Sequence, residues 1–365
     1  MTKLVIISCA AAVALVPLLG CGSTSQPGSA TGGTGGFVAP DATGGATSIV
    51  NSPWTTTRQL APNECEQDNY EILTNAYSSS RFVFVGGSMY VTWPYGTSTE
   101  SSTDLDEIRL SPYGKRTVYS GSGYGASVAA TDGRVYLTTR PWDEIYPAED
   151  KATYKVLGYD PATLNTNVFV DGYALIVAES PAGLVVGSTD YGHVTLYPAS
   201  GASPVSLCTP NGYDSIVANS TAALVQSYRG MMLCGFDGAG ASLFLPYPEY
   251  NGVAVRSIAI DETYAYLVHH DSSTADGIYR LDLTTKVATR IATGSTYAII
   301  RTTGNELWFT DASGGIYRMP SDGSSAPTLI TNQQDVIQLE VHDDYVYWTR
   351  YTSMDIACIK RMPKP

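Results

Sequence analysis

Residues 306–320 read ELWFTDASGGIYRMP, and this stretch decides the fold. Apolar and polar side chains alternate through Leu307-Trp308-Phe309-Thr310, which is typical of a half-buried β-strand. The residues from Asp311 to Gly315 are small or polar, as expected for a turn, and Ile316 begins a second alternating run. The stretch therefore predicts two short antiparallel strands joined by a tight connection.

The same pattern recurs along the chain. A turn is followed each time by an alternating apolar strand with one central residue, which we call the anchor. The anchors are Tyr90, Tyr136, Val185, Leu224, Tyr266, Trp308 and Tyr347. Successive anchors are about 43 residues apart, which is the spacing of propeller blades.

Each repeat contains four short strand patterns, and no segment reads as a long amphipathic helix. A unit of this size cannot bury its own faces, whereas a ring of such units can. The sequence thus predicts an all-β protein with a single β-propeller, most simply of seven four-stranded blades, with six or eight left open. The last repeat ends at Pro365 without an outer strand, so we expect residues 69–74 to supply it as an N-terminal strand closing the last blade.

Two motifs carry a resemblance to known repeats. Tyr347-Trp348-Thr349-Arg350 and the strand Ile316-Tyr317-Arg318 resemble YWTD-type and NHL-like propellers, and a group of bacterial lipoproteins built from such repeats. The resemblance covers residues 69–365 and implies the propeller fold without implying a function. Familiar YWTD propellers have six blades, whereas this sequence has seven anchors.

The N-terminus carries an export pattern. Lys3 precedes an apolar run that ends in Leu18-Leu19-Gly20-Cys21, which resembles the bacterial lipobox. The resemblance implies a lipoprotein signal peptide at 1–20 and a lipidated (palmitate-bearing) Cys21; an ordinary signal peptide or an uncleaved anchor is the alternative. Gly22, where Asp would signal inner-membrane retention, favours the outer membrane or cell surface. Residues 21–52 then form a Gly/Ser/Thr-rich tether, and 53–365 form the propeller.

The charge composition restricts the classes of partner that the chain is expected to bind. The chain has a formal net charge of −13, with 15% charged residues. Nucleic-acid binding is disfavoured because phosphate contact needs a basic surface. We expect the partners to be a membrane, through the lipid, and a glycan or protein ligand. We also expect a monomer without a cofactor.

Four cysteines remain beyond the signal peptide and Cys21, and none forms a Cys-x-x-Cys zinc motif. In an exported chain we expect disulfides, Cys208 with Cys234 and Cys65 with Cys358. The strand offsets support the first pair and oppose the second, since they place Cys65 and Cys358 at opposite ends of a strand pair. No metal site is predicted: His269 and His270 are adjacent on a strand and point to opposite faces.

Aromatic residues recur near the connections at one end of the predicted ring. A tyrosine precedes the first strand of five repeats, and further aromatic or histidine side chains follow the second strands. The first set is Tyr77, Tyr124, Tyr173, Tyr213 and Tyr297; the second is Trp93, Tyr95, Trp142, Tyr146, Tyr191, Tyr228, His269 and Tyr351. The second set are ligand-binding candidates. The five tyrosines are explained either as part of the same rim or, as we favour, by packing between blades.

These features lead to three functional hypotheses. The first is a surface-tethered binding or scaffold module without catalytic residues. The alternative is an envelope hydrolase or lyase that acts on glycans or peptides through rim acids, although no catalytic triad is visible. In the third, the rim contacts a protein as part of an envelope assembly. Fold alone does not decide between them.

Lipid anchoring is testable with two cysteine variants. Cys21→Ala should move the protein from the membrane fraction to the soluble fraction, because the acylated side chain is lost. Cys9→Ala, within the signal peptide, is the matched control and should stay membrane-bound. Membrane retention of Cys21→Ala would show that lipid on this cysteine is not the anchor.

Overall fold

The computed structural model describes most of the chain beyond residue 51, and the account below is confined to those residues. They are 52–56, 71–76, 80–96, 101–140, 154–172, 174–188, 192–210, 212–227, 230–238, 241–246, 254–270, 276–294, 297–353 and 356–365. Within these ranges there are 28 β-strands and no helix, and therefore no helix that could cross a membrane.

The strands form seven antiparallel sheets of four strands each, which we call blades 1 to 7. The first strands of the blades are β2 (Phe82–Val85), β6 (Tyr124–Thr131), β10 (Ala174–Ser180), β14 (Tyr213–Ala218), β18 (Ala254–Ile260), β22 (Tyr297–Thr303) and β26 (Val336–His342). The second strands are β3 (Ser88–Gly96), β7 (Arg134–Arg140), β11 (Gly183–Ser188), β15 (Ala222–Ser227), β19 (Tyr264–His270), β23 (Glu306–Asp311) and β27 (Tyr345–Ser353).

The third strands are β4 (Ser101–Leu110), β8 (Lys155–Asp160), β12 (Val194–Pro198), β16 (Gly230–Gly235), β20 (Gly277–Asp282), β24 (Gly315–Pro320) and β28 (Ile356–Pro363). The fourth strands are β5 (Tyr113–Ser122), β9 (Asn165–Asp171), β13 (Val205–Cys208), β17 (Ala241–Pro246), β21 (Ala288–Thr293), β25 (Thr328–Asn332) and β1 (Glu71–Ala76). First strands of neighbouring blades contact one another, so they line the axis of the ring. The all-β, seven-bladed propeller is confirmed.

The core is divided among the junctions between blades. The described residues form seven clusters of buried apolar side chains, one at each junction, including the junction of blade 7 with blade 1. The alternation of strand residues explains this arrangement, since each anchor faces the next blade while its two neighbours face the preceding one. Trp308 of blade 6, for example, packs with Val346 and Trp348 of blade 7. Each such buried side chain contributes about 1.5–3 kcal/mol.

The junction of blades 3 and 4 contains no aromatic side chain in its buried cluster. Its anchor is Val185, and the facing residues are small, such as Ala223. A disulfide from Cys208 on β13 to Cys234 on β16 crosses this junction, which confirms the expected pair. The 26-residue separation corresponds to about 3.5 kcal/mol in the loop-entropy model of disulfides. Cys358 is also disulfide-bonded, and its expected partner Cys65 lies outside the described residues.

Polar side chains join every pair of neighbouring blades. In six junctions a side chain bonds main-chain groups of the next blade, and in the seventh an ion pair takes this role. From junction 1–2 to junction 7–1, these side chains are Thr103, Ser127, Ser180, Gln226, Ser257, Arg301 and Gln338. Directional bonds of this kind fix the angle between sheets that apolar packing alone leaves adjustable.

Two contacts close the ring. Strand β1 pairs antiparallel with β28, from Glu71 opposite Arg361 to Ala76 opposite Ala357, so the N-terminal strand completes the last blade as predicted. Its bounds, 71–76, lie two residues beyond the expected 69–74. The buried Gln338 amide also donates to the carbonyl of Phe82 (2.8 Å) and accepts its N–H (3.1 Å) across junction 7–1.

The closing amide is testable against an equivalent residue elsewhere. Gln338→Leu leaves two buried main-chain groups of Phe82 without partners and should lower the free energy of unfolding by about 2–4 kcal/mol. Gln226→Leu, which leaves only the Val255 carbonyl unbonded, should cost about half as much. Urea denaturation measures both variants, and equal losses would contradict a special role of Gln338 in closure.

Candidate functional site

The strand order sorts the connections into two ends of the ring. Links between first and second strands, and between third and fourth strands, lie at one end, which we call the turn end. Links between second and third strands, and from each fourth strand to the next blade, lie at the other, the connection end. This alternation follows from antiparallel pairing, since successive links of a meander emerge at opposite edges.

Side chains at the turn end are committed to holding turns. Asn219 Oδ1 accepts the N–H groups of Thr221 and Ala222, and Asp261 Oδ1 accepts those of Thr263 and Tyr264. Asp282 does the same for Thr285 and Thr284, and these N–H bonds hold the pKa of its carboxyl below the usual value. In such Asx turns one side-chain oxygen of each residue is engaged in capping the turn.

A depression of about 300 Å³ lies at the turn end of blade 5, between Tyr264, Arg280 and Val287. The Arg280 guanidinium lies 4.6 Å from the centre of the Tyr264 ring, so the aromatic face there is already occupied. The side chains of Asp282, Thr285 and Thr289 complete the lining. Asp282 Oδ1 accepts the N–H groups of Thr284 and Thr285, so the two charged groups of this depression, Arg280 and Asp282, already have partners within the chain.

The candidate rim residues belong to the connection end, and most of them lie outside the described residues or have side chains that do. The former are Tyr77, Trp142, Tyr146, Tyr173, Tyr191 and Tyr228; the latter are Tyr95, Tyr124 and Tyr213. Four remain with described side chains: Trp93, His269, Tyr297 and Tyr351.

Trp93 lies on β3 and packs, partly buried, against the apolar cluster of junction 7–1. The Lys115 ammonium sits 4.1 Å from the centre of its ring and bonds Asp106 at 2.9 Å. Burial raises the pKa of Asp106, against the opposing effects of Lys115 and a hydrogen bond from Thr117. Lys115 thus covers one face of the Trp93 ring. Tyr351, on β27, lies by strand alternation on the face of blade 7 that meets blade 1, the same junction as Trp93.

The other two described candidates lie in the wall of the ring. Tyr297 packs edge-to-face on Phe309 (ring centres 4.9 Å apart) and donates its hydroxyl to the Thr293 carbonyl of the preceding blade. His269 is half-buried with its ring 5.6 Å from that of Tyr279. Blades 5 and 6 carry these two residues, so they do not join Trp93 and Tyr351.

A charged group in the axial channel was not anticipated from the sequence. Arg301 of β22 bonds Glu340 of β26 through Nε at 2.9 Å, and Glu179 of β10 interacts electrostatically with both. Glu179 is solvent-exposed, yet the surrounding channel walls desolvate its carboxylate and raise its pKa. The Glu340 charge adds to this rise, while the Ala130 N–H and Arg301 oppose it. The available signal was a charge in a first strand otherwise composed of small and apolar residues.

Metal binding has no support within the described ranges, where no group of three or more His, Cys, Asp or Glu side chains is placed to hold an ion. Of the described histidines, His342 stacks on Phe84 at 4.2 Å with nearly parallel rings. This ring contact assigns His342 to the packing of junction 7–1.

Comparisons with known proteins show the fold. No protein-family model and no curated protein matches the sequence. The β-propeller domain of the Trilobed protease from Pyrococcus furiosus is 11% identical over 78% of this chain and 94% of its own length, with a TM-score of 0.55. Pyrococcus horikoshii acylaminoacyl peptidase is 10% identical over 78% of this chain and 50% of its own, at 0.54. The WD40 propeller domain of Doa1 is 12% identical over 80% and 97%, at 0.51.

The chain is thus a β-propeller, and similarity at these identities carries no assignment of function. One structural difference is informative. The Trilobed protease propeller is described as having an open velcro topology, whereas here β1 completes the sheet of β26, β27 and β28. Closure is therefore a property of this chain and not of every propeller that resembles it.

The raised pKa of Glu179 predicts a pH-dependent stability. An acid whose pKa is raised on folding contributes stability below its unfolded pKa, and this contribution is lost as pH rises through the folded pKa. Glu179→Gln should therefore be more stable than the wild type at pH 7–8 and equally stable at pH 4. Glu340→Gln, which removes the partner of Arg301, should instead lower stability at neutral pH. Melting curves across this pH range measure both, and a pH-independent effect of Glu179→Gln would contradict the assignment.

Proposed function

We propose that this chain is a lipid-anchored β-propeller of the cell envelope that acts as a non-catalytic binding or scaffold module for a glycan or protein ligand. The observation that carries the proposal is the difference between the two ends of the ring. At the turn end, side-chain oxygens of Asn219, Asp261 and Asp282 are engaged in capping turns. The connection end instead carries the longest link between strands, residues 141–154 between β7 and β8.

The composition of that end suits recognition. The 141–154 link contains Trp142 and Tyr146 together with Asp143 and Glu144. Aromatic rings give a large contact area at low entropic cost, and nearby polar groups orient a ligand. Loops held on a rigid frame are where proteins usually place such groups. A glycan or an extended peptide fits this chemistry.

Export is supported by independent features. The Cys208–Cys234 disulfide is typical of an oxidising compartment, in agreement with the Gly20-Cys21 export pattern. The tether of about thirty residues has a typical reach of about 30 Å, enough to lift the ring off a membrane surface. Gly22 favours the outer membrane or cell surface.

An envelope hydrolase or lyase is the second candidate, and the axial channel is the observation in its favour. Glu179, Glu340 and Arg301 converge there from three blades, and converging ionisable groups with a shifted pKa are a feature of active sites. Arg301 is nevertheless engaged by Glu340, and the same pair joins blades 6 and 7. The binding role is therefore preferred.

A glycan and peptide array tests the binding role. The wild-type chain should bind a subset of spots, and Trp142→Ala should weaken that binding at least tenfold because a stacking contact is lost. Trp93→Ala should weaken it less, since one side of that ring already contacts Lys115.

Tyr264→Ala at the turn end is the matched aromatic control and should bind like the wild type. Binding that survives Trp142→Ala but is lost in Glu179→Gln would move the site to the axial channel. Turnover of a bound glycan or peptide, abolished in Glu179→Gln, would replace the binding module by the hydrolase.

A further inference from the structure

The segment at residues 52–56 lies on the outer edge of blade 1, beside β5. Thr55 and Lys115 exchange both main-chain hydrogen bonds, at 2.8 and 2.9 Å, as partners in an antiparallel ladder do. Two residues away, the Ser52 N–H donates to the Thr117 carbonyl and the Thr117 N–H donates to Ser52 Oγ. A single antiparallel β-bridge, flanked by the Ser52–Thr117 bonds, thus joins the segment to the outer edge of the sheet.

Two arginines and a glycine of blade 1 form the site that holds the ring of Trp54 on this edge. The Arg109 guanidinium lies 3.7 Å from the ring centre and the Arg116 guanidinium 4.6 Å, so the indole makes cation–π contacts with both. Gly114 lies beneath the ring, and a Cβ at that position would come within 2.9 Å of Trp54 Cε3. Any residue other than glycine would therefore displace the indole.

The site is tied into the interior of blade 1. Arg116 also bonds Glu107 through Nε at 2.8 Å, and Glu107 accepts the Ser88 hydroxyl at 3.0 Å. Both Arg116 and Glu107 are largely buried, so the guanidinium is held in position before any ring stacks on it. A pre-positioned cation loses little entropy when an aromatic ring docks.

The strand that carries this site is also the one that most needs an edge partner. β5 has 10 residues, whereas the other outermost strands in the described part of the chain have 4 to 7. A long open edge exposes a row of unpaired N–H and C=O groups and invites pairing with another chain.

We propose that the outer edge of blade 1 is a strand-acceptor site for an extended segment bearing an aromatic ring, occupied in cis by residues 52–56 as a strap. The acceptor consists of the edge of β5 from Gly114 to Thr117 together with the Arg109 and Arg116 guanidinium groups. Because β1 follows the strap in sequence and completes blade 7, the N-terminal chain is fastened on both blades that flank the closing junction.

The assignment is tested with a full-length double variant that cannot hold the strap in place, which we call the vacated chain. Trp54→Ala with Thr55→Pro removes the ring and the N–H that bonds Lys115. The Lys115 and Thr117 amides, both donors to the strap, should then exchange with deuterium at least tenfold faster than in the wild type. Should the double variant fail to fold, Trp54→Ala alone is read by the same exchange. Unchanged exchange would overturn the proposal.

A fluorescent peptide with the sequence of residues 50–58, VNSPWTTTR, tests acceptance in trans. It should bind the vacated chain at least tenfold more tightly than the wild type and restore protection at Lys115 and Thr117. The same peptide with alanine for Trp54, and the vacated chain carrying Gly114→Val, should each lose this binding. Leu329→Ala, on the exposed edge of blade 6, is the control substitution and should change nothing.

The exposed edge of the vacated chain could also pair with a second copy of the chain, and the oligomeric state of this variant tests that outcome. Dimers of the vacated chain that the peptide dissolves support an acceptor edge. Dimers that persist with the peptide and with Gly114→Val would overturn the proposal, since they would not involve this edge. Equal peptide binding by the vacated chain and its Gly114→Val form would do the same.

Discussion

The structure depends on closing the ring between blade 7 and blade 1. A four-stranded blade buries its faces only against two neighbours, so an open ring would expose one face at each end of the array. The chain meets this constraint with a strand from its N-terminal side, β1, hydrogen-bonded to β28 near its C-terminus. The apolar cluster at this junction draws Leu73 from β1 and Val91 from blade 1, so the same strand that completes the sheet also completes the core. Gln338 then fixes the two blades at the axis.

Within the closed ring, different side chains hold neighbouring blades together at different junctions. Aromatic anchors such as Tyr266 and Trp308 fill the junctions of blades 5, 6 and 7. At the junction of blades 3 and 4, where the anchor is Val185 and the buried cluster has no aromatic side chain, a disulfide joins the blades covalently. The buried cluster of blades 4 and 5 also lacks an aromatic side chain and is filled by larger aliphatic ones such as Leu224 and Met231. A polar bond to the next blade is nevertheless present at every junction. Apolar contact supplies most of the free energy, and the directional bonds select one arrangement of the sheets.

The turn end and the connection end differ because the strand order places short turns at one end and the longer connections at the other. Tight turns at one end leave their polar groups engaged in capping, as at Asp261. Connections at the other end are free to vary in length because they are not part of any sheet. The proposed recognition surface belongs to these connections, whereas the strap is an N-terminal segment added to the outer edge of blade 1. Neither is needed for the repeat itself, and both use a rigid sheet as a support.

The repeat, the closing strand and the Cys208–Cys234 pair could be predicted from the sequence, because each depends on periodic spacing or on alternation along a strand. The seven anchors favoured seven blades but left six or eight open, and the seven sheets decide the number. A period of about 43 residues places every anchor at an equivalent position, and Cys208 and Cys234 then fall on facing strands. The position of Glu179 within electrostatic range of the Arg301–Glu340 pair could not be predicted from the sequence. Arg301 and Glu340 lie on the neighbouring blades 6 and 7, whereas Glu179 lies on blade 3, so only the closed ring brings its charge near theirs. The tertiary structure also places Trp54 on blade 1. The sequence did not indicate this, because one tryptophan at the end of a Gly/Ser/Thr-rich tether carries no periodic signal. Its role depends on Gly114 and two arginines about sixty residues away, which the fold brings together.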